Sequence, residues 1–155
     1  MIFVLFLLCL GYMIVLNNIP FYHRCDIQIR VSDIDINGHV NNVIYGHFFS
    51  LGRLYYFKQI LDGKINWKEE SMVIASSTIN YLKPVYLDDL PVCFTKVLKI
   101  GNKSITMVQY LMIKDGSISA TNDIVLVCYN SLLKQSVVVP PLWRKKIAEL
   151  EQQTF

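Results

Sequence analysis

The residues most able to do chemistry crowd into one stretch, Ser32-Asp33-Ile34-Asp35-Ile36-Asn37-Gly38-His39-Val40-Asn41-Asn42, with Tyr45 just beyond it. A carboxylate such as Asp35 can attack a carbonyl carbon or activate water for that attack. Asn41 and Asn42 stand where a helix-period apolar stretch begins. Free N–H groups at a helix start carry the positive end of its dipole, and can hold an oxyanion. The same residue types are also ordinary turn chemistry. Asp, Asn and Gly reverse chains, so Asp33 reads as a turn or cap residue, and Asn37-Gly38 would turn the chain whatever its function. His39 fits a structural hydrogen-bonding role as well as a catalytic one.

Other reactive groups are scattered. His23 and His47 have no acidic partner at useful spacing and read as structural. Cysteines at 9, 25, 93 and 128 form no C-x-x-C pair and have no histidine at zinc-ligand spacing, so no metal is expected. Cys93 and Cys128 fall in apolar strand-like runs, where cysteine behaves as a small hydrophobe. A disulfide framework is not expected, and a reducing, cytoplasmic setting fits better. No glycine-rich phosphate loop is present. Fifteen Lys and Arg against twelve Asp and Glu leave a net charge of +3, too little for the basic stripe of a nucleic-acid binder. The one dense basic run, Arg144-Lys145-Lys146, reads as the solvated face of a C-terminal helix.

These groups must be positioned by a short list of elements. Tyr22 to Val31 alternates as a half-buried strand, with Cys25, Ile27 and Ile29 on one side. From Val43 to about Leu61 the period turns helical, and Tyr45, Phe48, Phe49, Gly52, Tyr56 and Ile60 share a face. Asn41 or Asn42 is a fitting N-cap and Asp62-Gly63 a fitting stop. The helix is strongly apolar and carries Gly46 and Gly52, which predicts a buried helix with close backbone approach along it.

Four strand-like segments follow: Met72 to Leu82, Pro91 to Ile100, Lys103 to Lys114, and Ser117 to Asn130. Gly101-Asn102 and Asp115-Gly116 are tight hairpin connections, so the last three should form an antiparallel meander. Pro140-Pro141 breaks the chain before a short closing helix, Leu142 to Gln152. With 53% apolar and only 17% charged residues, the chain must hide more surface than one helix on one sheet covers. A second subunit is expected to supply part of that cover.

Met1 to Leu16 is apolar without a charge, and is set apart here as a segment 1–19 ahead of a domain spanning 20–155. It lacks the basic start and cleavage site of a secretory signal. It is slightly short for a transmembrane helix. Membrane contact through residues 1–16, an extension packed on protein, and a start that properly lies at Met13 all remain open readings.

The pattern D-x-D-x-x-G-H-V-N-N-x-x-Y at a strand-to-helix junction resembles the acyl-CoA thioesterases of the 4-hydroxybenzoyl-CoA thioesterase type. The resemblance runs from about Tyr22 to Ile147 and includes Asn80-Tyr81-Leu82-Lys83-Pro84, Ile100-Gly101-Asn102-Lys103-Ser104 and Pro141-Leu142-Trp143-Arg144. It implies an α+β hotdog fold, a long antiparallel sheet wrapped around one central helix, assembled as a homodimer or a dimer of dimers. Asp35 matches the family's catalytic aspartate. Asp35, Asn37 and His39 also match the D-x-N-x-H triplet of plant acyl-ACP thioesterases, in which the asparagine and histidine assist.

A thiol with a pKa of about 8.5 departs without strong acid help, so one carboxylate can suffice for a thioester. The expected constellation is therefore Asp35, Asn37 and His39 as catalytic groups, and the amides near Asn41 and Asn42 as oxyanion hole. Tyr45, Phe49 and Tyr81 would line the acyl site, and Lys103 and Ser104 would meet a pantetheine phosphate. No cofactor is implied beyond the CoA or acyl carrier protein of the substrate. Two departures stand out. Many relatives carry a glutamate midway along the helix where this chain has Ser50, and the acidic residues nearest the following strand, Glu69 and Glu70, precede it. A non-catalytic acyl-binding protein and a hotdog dehydratase are the competing readings.

Overall fold

A computed structural model of the protein describes residues 6–8 and 11–155, with side chains from Met13 onward. The elements run β1 (Phe6–Leu8), β2 (Gly11–Leu16), β3 (Ile19–Phe21), β4 (Arg24–Asp26), a 3₁₀ turn (Val31–Asp33), α1 (Asn42–Ile60), β5 (Ser71–Tyr81), β6 (Val92–Ile100), β7 (Ser104–Met112), β8 (Ile118–Asn130), β9 (Gln135–Ser136) and α2 (Pro141–Glu151). The main sheet has the order β4-β6-β7-β8-β5, with β9 added to β8, and every pairing in it is antiparallel. It is the hotdog arrangement: the sheet curls around α1, and α2 closes one end.

The long helix forms where the sequence places it. Asn41 caps it, its side-chain oxygen accepting from the Val43 N–H at 3.0 Å. All six residues of the expected face are buried, together with Phe57. Of the two helix glycines, only Gly52 marks a close approach. A Cβ there would lie 2.5 Å from Cys93 Sγ on β6, whereas one at Gly46 would meet nothing within 4 Å. One end of the core gathers Tyr56, Phe57, Met107, Trp143 and Ile147; the other gathers Tyr45, Phe48, Phe49, Val85 and Leu111.

A polar strip crosses the middle of the core. Gln109 of β7 donates to the Phe49 carbonyl at 2.9 Å and to Thr95 Oγ1 at 3.1 Å, and its oxygen accepts from Asn122 and Arg53. Buried amides need such pairing, and this one is fully engaged.

The first expected strand is shorter than its alternation. Burial alternates from Phe21 through Ile27, yet only Arg24–Asp26 pairs with β6. The ladder ends against Pro91. Ile27 N–H still reaches the Pro91 carbonyl at 2.9 Å, but proline has no N–H to return the next bond. The basic run of α2 also differs from its reading. Arg144 reaches across to the Gly101 and Asn102 carbonyls of the β6–β7 hairpin, and only Lys145 and Lys146 pair locally, with Glu149.

Of the apolar start, residues 1–5 and 9–10 lie outside the described residues, Cys9 among them. β2 and β3 form a hairpin that lays Ile14, Leu16 and Phe21 on Phe94, Val108 and Tyr110. Phe94 alternates with the helix-facing Cys93 and Thr95, so this hairpin covers the face of the sheet turned away from α1. Among the described residues no helix is long and apolar enough to cross a membrane.

Candidate active site at the start of the central helix

The loop between β4 and α1 is a compact knot of local hydrogen bonds. Asp33 is buried, and its carboxylate accepts from the Arg30 N–H at 2.8 Å, closing the 3₁₀ turn. Its carbonyl takes the Asn41 N–H at 2.8 Å, which fixes the approach to the helix. Between them the chain reverses through Asp35-Ile36-Asn37-Gly38. Asp35 N–H donates to the His39 carbonyl, Gly38 N–H returns to the Asp35 carbonyl, and Gly38 adopts φ +78°, a conformation that glycine takes without strain. Val40 anchors the far side by donating to the Val85 carbonyl at 2.8 Å.

This reversal presents Asp35 at the surface of a cavity of about 530 Å³. Asp35, Asn37, His39, Asn42, Tyr45 and Tyr81 line it, joined by Leu82, Lys83 and Pro84. One Asp35 oxygen, Oδ1, accepts the Asn37 N–H at 2.8 Å. The other has no protein partner among the described residues and is left for water or substrate. His39 Nδ1 lies 3.1 Å from the Val40 carbonyl. The carbonyl can only accept, so Nδ1 donates to it, and Nε2 is the ring nitrogen left to face other partners.

Of the two amides expected to be free, Asn41's is taken by Asp33 and Asn42's is not. Asn42 is the first residue of α1, its N–H has no acceptor among the described residues, and it borders the cavity. The helix start thus offers one oriented donor and the positive end of its dipole. Tyr81 reaches over from the end of β5, its hydroxyl donating to the Asn42 carbonyl at 3.1 Å and its ring standing edge-on to Tyr45 at 5.1 Å. Burial raises the Tyr45 phenol above its ordinary pKa, so it stays neutral.

Three expected residues lie elsewhere. Phe49 is wholly buried in the core beneath the cavity. Lys103 and Ser104 sit at the β6–β7 hairpin, where Lys103 Nζ donates to the Ser136 carbonyl and hydroxyl. Lys83, within the 80–84 segment of the resemblance, is a further residue of the site. It borders the cavity and lies 3.8 Å from Asp115. Among the described residues no three His, Cys, Asp or Glu side chains gather as a metal site.

Residues 29–147 match the family described as the thioesterase-like superfamily. The chain is 28% identical to a thioesterase from Thermus thermophilus solved with coenzyme A and zinc, with a TM-score of 0.75, covering 86% of this chain and 97% of that one. A predicted thioesterase from Bacillus stearothermophilus is 26% identical at a TM-score of 0.76, covering 86% and 98%. The uncharacterized protein YsmA of Bacillus subtilis is 29% identical over 91 residues, 59% of this chain and 60% of YsmA. The chain therefore spans about 60% of that relative's length.

Proposed function

The chain belongs to the thioesterase-like superfamily, and we propose that it hydrolyses an acyl-CoA or acyl-carrier-protein thioester in the cavity at the start of α1. The observation that carries this reading is that the Asp35 carboxylate and Asn42, whose N–H has no acceptor among the described residues, border the same cavity. The thioester carbonyl lies between them. Its oxygen takes the Asn42 N–H, which strengthens as negative charge develops there. Asp35 either attacks the carbonyl carbon, expelling the thiolate and leaving a mixed anhydride that water cleaves, or takes a proton from the water that attacks. The products in both cases are the acid and the thiol. His39 Nε2 and the Asn37 side chain orient that water or the substrate.

The active unit is a homodimer paired through β5. This strand lies at the edge of the sheet, is exposed along most of its length, and bears the exposed apolar residues Val73, Ile74 and Tyr81. Such an edge invites a strand from a second copy. The cavity behind Asp35 then lies against the partner, which closes it from water.

The test is release of free thiol, followed with a trapping reagent, from acyl-CoA esters of graded chain length and from matching acyl-carrier-protein esters. Turnover that depends on Asp35 supports the reading. No thiol release from any member would sink it and favour a protein that only binds acyl ligands.

A further inference from the structure

A second cavity, of about 210 Å³, opens between the middle of α1 and the other end of β5, bordered by Ser50, Arg53, Phe57, Trp67, Met72 and Ile74. Its walls are apolar except at one point. There Arg53 is half-buried, its Nη1 donating to Gln109 Oε1 at 3.1 Å and its Nη2 to Ser50 Oγ at 2.8 Å. Both partners are neutral, and no carboxylate lies within ion-pair distance of the guanidinium among the described residues. Burial pulls its pKa down, and Cys93 acts the other way. A guanidinium carries five donors and remains charged in proteins. Left half-buried against tryptophan, phenylalanine and methionine, it has unmet capacity for an anion.

The two cavities sit at opposite ends of one strand. Tyr81 and Leu82 border the Asp35 cavity; Met72 and Ile74 border this one. Two copies of β5 paired antiparallel about a two-fold axis must set the Tyr81 end of one against the Met72 end of the other. The Asp35 cavity of one subunit then abuts the Arg53 cavity of its partner. An acyl group held at Asp35 would extend toward an apolar pocket whose far wall carries a fixed positive charge.

We infer that Arg53 is a specificity residue that receives a carboxylate at the far end of the acyl group, so that the preferred substrates are thioesters of ω-carboxyacyl chains. This rests on the hydrolase reading and on pairing through β5. The apolar walls fit the methylene chain, and the planar guanidinium can grip a carboxylate by two parallel bonds while keeping its hold on Gln109. The phosphates of CoA are the other anions within the substrate, but the residues bordering this pocket offer them no second positive charge beside Arg53.

The experiment compares adipyl-CoA with hexanoyl-CoA and suberyl-CoA with octanoyl-CoA, in the wild type and in Arg53→Gln and Arg53→Lys. The readout is the ratio of kcat/KM within each pair. The wild type should favour the carboxylated member at one or both lengths. Arg53→Gln should lower that ratio by on the order of 30-fold or more, the range for deleting one partner of a buried charge pair, and Arg53→Lys should restore part of it. Both members of a pair carry the same CoA, so a residue that merely braced the core or gripped the phosphates would lower both alike and leave the ratio unmoved. That result, or a wild type favouring the neutral ester at both lengths, overturns the assignment. If no ester is cleaved at all, the hydrolase reading fails separately. Titration calorimetry with the uncleavable thioethers, carboxypentyl-CoA against hexyl-CoA, then decides the matter. Tighter binding of the former that Arg53→Gln removes upholds Arg53, and equal binding overturns it.

Discussion

Lys96 and Glu151 meet inside the protein: Nζ of the one lies 3.0 Å from Oε2 of the other, with both side chains almost wholly enclosed. The second Glu151 oxygen accepts the Tyr56 hydroxyl at 2.8 Å and the Val97 N–H at 2.9 Å. One carboxylate at the end of α2 therefore ties that helix to α1 and to β6, and seals the end of the core farthest from Asp35.

Replacing Glu151 by alanine should leave a buried ammonium, a hydroxyl and a backbone N–H without their acceptor. Breaking one side of a buried pair costs about 3–5 kcal/mol, which for a chain of this size lowers Tm by on the order of 10 °C. Glu151→Gln keeps an acceptor and should cost less. A melting curve for Glu151→Ala within a degree of wild type would show that the pair is not enclosed in solution.

Asp35→Asn keeps the shape and the acceptor for the Asn37 N–H while removing the charge. It should lower kcat by about two to four orders of magnitude, with Tm little changed. Asp33→Asn can still accept from Arg30 and should cost far less turnover, its effect falling on stability. His39→Ala should fall between them in kcat. Turnover and Tm measured on all three variants separate the roles. Intact turnover in Asp35→Asn alongside its loss in Asp33→Asn would mean that the wrong aspartate has been assigned.

The β5 edge sets a prediction about assembly. Val73→Lys places a charge on an exposed edge residue and should hinder strand pairing between copies. Sedimentation velocity should show the wild type as a dimer at micromolar concentration and this variant shifted toward monomer, with activity falling in step. A wild-type monomer of full activity would end the two-subunit site.

His23 gives stability a pH dependence. It is enclosed beside Tyr56, its Nδ1 has no partner among the described residues, and burial lowers its pKa from 6.5 to about 4. Above pH 6.5 the ring is neutral folded and unfolded, and contributes no slope. Between pH 6.5 and about 4 the unfolded chain binds the proton and the folded one does not, so stability falls as the pH falls, by about 2.5 kcal/mol at pH 4.5. His23→Phe removes the titration. Urea unfolding at pH 7.5 and 4.5 should show a smaller drop in this variant than in the wild type. Equal drops would place the acid sensitivity elsewhere.

Much of this molecule is written locally. The helix start at Asn41, the two hairpin dipeptides and the turn chemistry of the Asp35 loop each depend on residues within a few positions of one another. Spacing therefore gave the central helix, the four strands after it and the loop before it, while the strands of the apolar start were not legible and Asp35 stood out only through the family pattern. Gly52 was legible as a close approach somewhere on the helix, but only packing against Cys93 distinguished it from Gly46. The amide left to hold an oxyanion was decided by the loop's return, which spends Asn41 N–H on the Asp33 carbonyl and spares Asn42. Arg53 meets Gln109 and Glu151 meets Lys96, each more than fifty residues away along the chain. No periodicity encodes such meetings, because a charge near a strand centre or a helix end reads as solvated until the curl of the sheet brings a distant element over it. The tertiary structure alone decided which charges were enclosed, and among the described residues it left Arg53 without a counter-ion.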